Sequence, residues 1–266
     1  MISHQQLKIY RSLKQKKYRH RERKFLIEGL NLCEAALQSD FLLERLLLSR
    51  DGELNFSRHL PLLAEKRVPV EIVPDKVIRS LSESTSPQGI IAVVKMPLPA
   101  LADLWKLPPR EILVLDRVRD PGNLGTILRT ANWFGIPAIA CSNACVDLYN
   151  SKVLRSSAGS LFQLPLILDD VNLTQLLPEL LEHNYNLFVA NPAAQQSYLD
   201  VEFRRPFALI VGSERQGVEK AVYSFPLQEI CIPRRGRAES LNVAMATAIL
   251  LAAATKVLRS TTIGDY

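Results

Sequence analysis

The apolar and polar positions divide this chain into two unlike stretches. Up to residue 96 the pattern mixes helical and strand-like spacing. Residues 25–39 carry apolar positions at spacings that suit a helix. Residues 42–48 form a short apolar run. Residues 70–73 and 89–95 read as strands, the latter rich in β-branched side chains. From residue 112 onward, short continuous apolar runs recur at 112–115, 138–141, 164–168, 187–190, 207–211 and 229–232, with helical segments between most of them. Strands that are apolar at every position are buried on both faces. Alternating with helices, they predict a parallel sheet covered on both sides, an α/β domain. A further helix is expected over 241–258. Four prolines, Pro97, Pro99, Pro108 and Pro109, separate the two stretches. The expected domains are therefore 1–96 and 110–266, with a Pro-rich linker at 97–109.

Composition narrows the class. A chain of 266 residues suits two ordinary domains, and 47% hydrophobic with 23% charged residues excludes disorder throughout. The net charge of +6 is unevenly spread. Residues 1–24 hold nine Lys/Arg against the single acid Glu22, a net +8, so the rest of the chain is slightly acidic. Such a segment suits a polyanion, although a solvated basic helix has the same charge. Cys33, Cys141, Cys145 and Cys231 form no CxxC and have no zinc spacing with histidine, so they read as buried, reduced thiols and imply no metal site. The N-terminus lacks an apolar signal core, and the longest apolar stretch, 243–254, is shorter than the ~20 residues of a membrane span. The expected location is the cytoplasm.

Candidate chemistry follows three of the apolar runs, where open α/β sheets bind ligands. After 112–115 comes Asp-Arg-Val-Arg-Asp-Pro-Gly-Asn-Leu-Gly-Thr-Ile-Leu-Arg, residues 116–129. A helix is expected near Asn123, a good capping residue. Arg129, less than two turns on, would face an anion such as an RNA phosphate. Alone, the segment also reads as a capped surface helix with a solvated Arg. After 207–211 comes Gly212-Ser-Glu-Arg-Gln-Gly217. It matches neither a Walker A loop nor GxGxxG. It reads equally as a nucleotide loop or as a tight turn with a salt-bridged Glu214. After 229–232 come Arg234, Arg235 and Arg237, then Ser240 and Asn242 at the start of a small-residue helix. Ser240 there reads equally as a site residue or as a simple helix cap.

Taken in order, these three segments resemble the three motifs of the SpoU (TrmH-like) family of RNA ribose 2'-O-methyltransferases over most of residues 111–258. Lys17-Tyr-Arg19, Phe25-Leu-Ile-Glu-Gly29 and Ser84-Thr-Ser-Pro-Gln-Gly89 resemble the family's L30e-like substrate-binding domain. The resemblance implies a trefoil-knotted catalytic domain using S-adenosylmethionine. Gly212, Ile232 and Leu241 would hold that cofactor, with Asn191 beside them. Arg129 would be the central catalytic residue, supported by Asn123, Glu214, Ser240 and Asn242. An Arg is a poor base, so a phosphate clamp that orients the hydroxyl is the preferred role. Lys14, Lys16, Lys17, Arg19, Arg234, Arg235 and Arg237 would contact RNA. The implied partners are ribosomal RNA, with a guanosine of 23S RNA the preferred target, and a second copy of the chain. Alternatives are a transfer-RNA 2'-O-methyltransferase and a non-catalytic RNA-binding protein. A phosphoryl-transfer enzyme using the Gly-rich loops is disfavoured, because Walker A and kinase signatures are lacking.

Overall fold

The computed structural model describes residues 2–108, 110–213 and 215–256. They form two compact units. The first unit comprises residues up to 98 together with Asp147–Gln163, and the second comprises the rest.

The first unit contains α1 (His4–Ser12), α2 (Lys16–Glu22), β1 (Lys24–Glu28), α3 (Leu30–Gln38), β2 (Leu43–Leu48), α4 (Arg50–Phe56), α5 (Leu60–Glu65), β3 (Val70–Ile72), α6 (Asp75–Leu81) and β4 (Ile90–Lys95). Its sheet runs β1-β4-β2-β3, with β4 antiparallel to both neighbours. Ser3 opens α1 with a capping box: its Oγ accepts from Gln6 N at 3.1 Å, and Gln6 Oε1 accepts from Ser3 N at 3.0 Å. The helix expected over 25–39 is instead a strand and a helix joined at Gly29. Gly29 has φ +94°, which a side chain would strain, and a Cβ there would meet Gln88 Oε1 at 2.9 Å. Gln88 Oε1 accepts from Leu30 N at 2.9 Å and so satisfies the start of α3. Thus Gly29 and Gln88, from two separate sequence markers, meet for a structural reason.

Residues 147–163 include α9 (Ser151–Ser156) and belong by packing to this first unit, whereas the sequence expectation assigned them to the second domain. The cause is aromatic and ionic. Phe25 packs on Tyr149 with centroids 4.6 Å apart, and Phe41 meets Phe162 edge-on at 5.0 Å. Arg19 pairs with Asp147, both about 5% exposed.

The second unit contains α7 (Leu101–Leu104), β5 (Glu111–Asp116), α8 (Pro121–Trp133), β6 (Ala138–Ser142), β7 (Leu166–Val171), α10 (Leu173–Glu182), β8 (Asn186–Ala190), β9 (Phe207–Gly212), β10 (Gln228–Ile230) and α11 (Val243–Lys256). All six strands are parallel, in the order β10-β8-β9-β5-β6-β7. β5 is buried at every position, as its unbroken apolar run predicts. The proline-rich stretch packs on the second unit through its apolar residues. Leu104 is buried in the sheet core, and Trp105 stacks on His183 at 3.7 Å while its Nε1 donates to Glu179 at 3.2 Å. Among the described residues no helix is long and apolar enough to cross a membrane.

Candidate active site

The chain leaves β5 toward β6 and β7 on one side and returns through β8, β9 and β10 on the other. The boundary between β5 and β9 is thus a topological switch point, where loops diverge and leave a crevice at the carboxyl ends of the strands. The last register pair of these two strands is Asp116 opposite Gly212. The first and second sequence motifs therefore start side by side.

The helix after β5 begins at Pro121, a residue suited to the first helical position. Its cap is Asp120, whose Oδ1 accepts from Asn123 N at 2.8 Å. This corrects the expectation that Asn123 is the cap. Asn123 is the third helical residue, and its side chain is turned to another use. Its Oδ1 accepts from Asn242 Nδ2 at 2.8 Å, across 119 residues of sequence. Asn242 Oδ1 in turn accepts from Ala244 N at 2.9 Å and caps α11. Ser240, whose alternative reading is a cap, is exposed two residues earlier. One hydrogen bond thus ties the start of α8 to the start of α11, and the two helices pack together.

Arg129 lies on α8, exposed, and among the described residues it makes no hydrogen bond or ion pair. Trp133, one turn later, is 83% exposed. Gly212 allows the second motif to fold back on itself: a Cβ there would lie 2.3 Å from the backbone of Gly217. Gly217 N donates to Ser213 O at 2.8 Å, and Gly217 has φ +62°. Glu214 lies outside the described residues.

Beyond β8, Asn191 is committed internally. Its Nδ2 donates to Glu229 at 2.5 Å and its Oδ1 accepts from Ala193 N at 3.0 Å. It shapes the turn after β8, and both side-chain groups are already engaged. The chain from 196 to 198 pairs with Cys231, which fixes the entry to Ile232. Leu199 and Leu241 are apolar and exposed, and the turn holding Leu199 contacts α11. Arg235 and Arg237 are exposed, and Arg234 tightens their loop by donating to Ala238 O at 3.2 Å.

Two thiols lie at the end of β6. Cys141 is raised above the ordinary thiol range by its hydrogen bond with Cys145 and by burial. The same bond lowers Cys145, whose Sγ donates to Leu115 O at 3.3 Å. Cys33 is buried, and burial pushes its thiol up as well. Cys145 and Cys231 are only partly buried, against the expectation of four buried thiols.

Among the expected RNA contacts, Lys16 and Lys17 are exposed, while the exposed Lys14 donates its Nζ to Ser82 O at 2.8 Å. Arg19 is a correction. Its Nε and Nη2 bind Asp147, and its Nη1 binds the carbonyls of Leu13 and Lys14 at 2.8 and 2.9 Å. A buried guanidinium with those partners has no free donor face for a phosphate. Sequence reasoning missed Asp120, which caps α8, and Asp116. The visible signal for Asp116 is an acid that ends a run otherwise apolar from 112 to 115.

An open parallel sheet with polar and Gly-rich loops at its switch point is the arrangement in which α/β domains bind small molecules. The chain belongs to the SpoU rRNA Methylase family, whose model matches residues 110–252. An MRM3-like substrate binding domain matches residues 4–92. The chain is 34% identical to the 23S rRNA (guanosine(2553)-2'-O)-methyltransferase RlmP of Bacillus subtilis, over 93% of this chain and 94% of that one. Similar solved structures include a putative TrmH-family RNA methyltransferase from Porphyromonas gingivalis, with TM-score 0.82, 30% identity and coverage of 97% and 99%. Another is the SpoU methyltransferase AviRb from Streptomyces viridochromogenes in complex with AdoMet, with TM-score 0.87, 25% identity and coverage of 98% and 100%.

Proposed function

We propose that this protein transfers a methyl group from S-adenosylmethionine to a ribose 2'-hydroxyl of ribosomal RNA, a guanosine of 23S RNA being the target. The carrying observation is the Asn123–Asn242 hydrogen bond, which couples the first and third motifs, while Asp116 pairs opposite Gly212 at the start of the second. The donor set fits the cofactor. The loops after β8, β9 and β10 offer backbone N–H and C=O groups for an adenine edge, and Leu199 and Leu241 offer apolar surface for its face. Gly212, Ile232 and Leu241 would hold it, with Asn191 shaping the wall. The bound cofactor supplies a methyl group already activated on a sulfonium.

What remains for the chain is alignment and charge control. Arg129 clamps the RNA phosphate next to the target ribose through bidentate donation and so orients the 2'-hydroxyl. A guanidinium holds its proton too tightly to be a good proton acceptor. Asn123 and Asn242 fix α8 against α11 and so fix where Arg129 emerges. Ser240 and Glu214 are assigned to the target ribose and the surrounding loops. Lys14, Lys16 and Lys17 supply phosphate contacts that give affinity without sequence information, and Arg234, Arg235 and Arg237 contact the RNA nearer the reaction.

The 23S guanosine follows the named activity of the Bacillus subtilis relative. A trefoil knot through the 231–242 segment and a cytoplasmic location complete the proposal. So does a homodimer built on the outer face of α11, where Met245 is 52% exposed. Sedimentation of the purified protein checks the dimer, and a monomer at micromolar concentration contradicts it. The activity is tested by comparing 2'-O-methylated riboses in total RNA from cells with and without the gene. One 23S guanosine should lose its methyl group. Loss at a transfer-RNA position instead, or at none, overturns the assignment.

A further inference from the structure

Asp116 has no role in the reaction described so far, yet it is 1% exposed at the switch point itself. Its Oδ1 accepts from Ser142 Oγ at 2.9 Å. Its Oδ2 accepts from Glu219 N at 2.7 Å and from Arg117 Nε at 3.2 Å. Ser142 Oγ also accepts from Arg117 N at 3.2 Å. These partners come from the end of β6, from the exit of the Gly-rich loop after β9, and from the residue that follows β5.

A carboxylate enclosed this well is costly unless its oxygens are hydrogen-bonded, and bonds to an ionised acceptor are about twice as strong as neutral ones. An apolar residue would be the ordinary choice at the end of a strand buried on both faces. What the acid adds is a long-range tie. The backbone around the Gly-rich loop is held at its entry by strand pairing at Gly212 and by the Ser213–Gly217 closure. At its exit it is held by the Glu219 N–H on Asp116, 103 residues away in sequence.

We infer that Asp116 is a positioning residue for the cofactor loop, acting through the Glu219 amide. It fixes the backbone groups of the loop in the conformation that receives S-adenosylmethionine, and it touches neither cofactor nor RNA. This inference rests on the functional reading above. Pre-ordering a loop lowers the entropy lost on binding, so the effect belongs in cofactor affinity and not in RNA affinity.

The test uses three substitutions in the full-length protein. Asp116→Ala removes the acceptor. Glu219→Pro removes the donor while leaving the carboxylate, at a residue whose φ of −60° proline adopts. Asp116→Asn keeps an oxygen for Glu219 N and offers an N–H to Ser142. Hydrogen exchange at residues 215–219 is measured without ligand, S-adenosylhomocysteine affinity by calorimetry, and RNA affinity separately. Asp116→Ala and Glu219→Pro should each speed exchange there by about tenfold and raise the S-adenosylhomocysteine Kd by about tenfold. Exchange within β9 and RNA affinity should stay near wild type, and Asp116→Asn should recover most of the ligand affinity. Should Asp116→Ala fail to fold, Glu219→Pro carries the same expectation by itself. Wild-type exchange or wild-type ligand affinity in Glu219→Pro overturns the inference. A wild-type protein that binds no S-adenosylhomocysteine overturns the functional reading, and the wild-type titration shows this before any variant is compared.

Discussion

The basic segment of α1 and α2 and the carboxyl ends of β5 and β9 are both rich in polar residues, but they are built in opposite ways. Along α2, Lys16 and Lys17 stand exposed on a helix that has no acid in its first turn. At the switch point, Asp116, Ser142, Asp120, Asn123 and Asn242 bond one another or the backbone at 2.7–2.9 Å. Mobile surface cations attract a polyanion of any sequence and are weakened by salt. A fixed hydrogen-bonded frame holds geometry and is largely insensitive to salt. Arg129 draws on both kinds: it is an exposed cation like the lysines, mounted on a helix held by the frame. Arg19 inverts the pattern, since it sits among the exposed bases of the N-terminal segment but is buried and bonded to Asp147 and two backbone carbonyls.

The contrast can be broken at several points. Arg129→Ala should produce the largest effect, a loss of about 10²–10³-fold or more in kcat, the scale of removing one preorganised donor of charge stabilisation. Calorimetry should find cofactor affinity near wild type, and retained turnover would remove Arg129 from the mechanism. Arg19→Ala should cost about 3–5 kcal/mol of stability, because it leaves the buried Asp147 carboxylate without its guanidinium partner. Denaturant unfolding measures this, and an unchanged midpoint would restore Arg19 to the list of RNA contacts. Asn242→Ala should cost about 1 kcal/mol as a lost helix cap. It should also lower kcat, and a double-mutant cycle with Asn123→Ala should show coupling, whereas additive losses would mean that the 2.8 Å bond does not act as a unit. Smallest of all, replacing Lys14, Lys16 and Lys17 with Ala should raise the RNA KM and reduce the slope of log affinity against log salt by roughly 0.7–0.9 per lost phosphate contact. An unchanged slope would mean that this segment does not face the RNA.

The sheet of the second unit was legible because its strands are buried on both faces and therefore read as unbroken apolar runs. The three polar segments were legible as a site because they follow such runs. Helix starts were less so. Asp120 and Asn123 are both cap-forming types within four residues, as are Ser240 and Asn242; Pro121 at the first helical position marks Asp120, whereas the bond between Asn123 and Asn242 is tertiary and has no local signal. Residues 25–39 misled because Phe25, Leu26 and Ile27 continue the helical spacing of α3, and only the positive φ of Gly29 separates strand from helix. The fates of Arg19 and Asp116 were hidden for a simpler reason. Their partners lie 128 and 103 residues away, beyond any local pattern.

The most direct test is to incubate the purified protein with ribosomal RNA and methyl-labelled S-adenosylmethionine, digest the RNA to nucleosides, and locate the label. The proposed function predicts label on the ribose oxygen of one guanosine, and none with Arg129→Ala. Label on a base, or no transfer to any RNA offered, would contradict it.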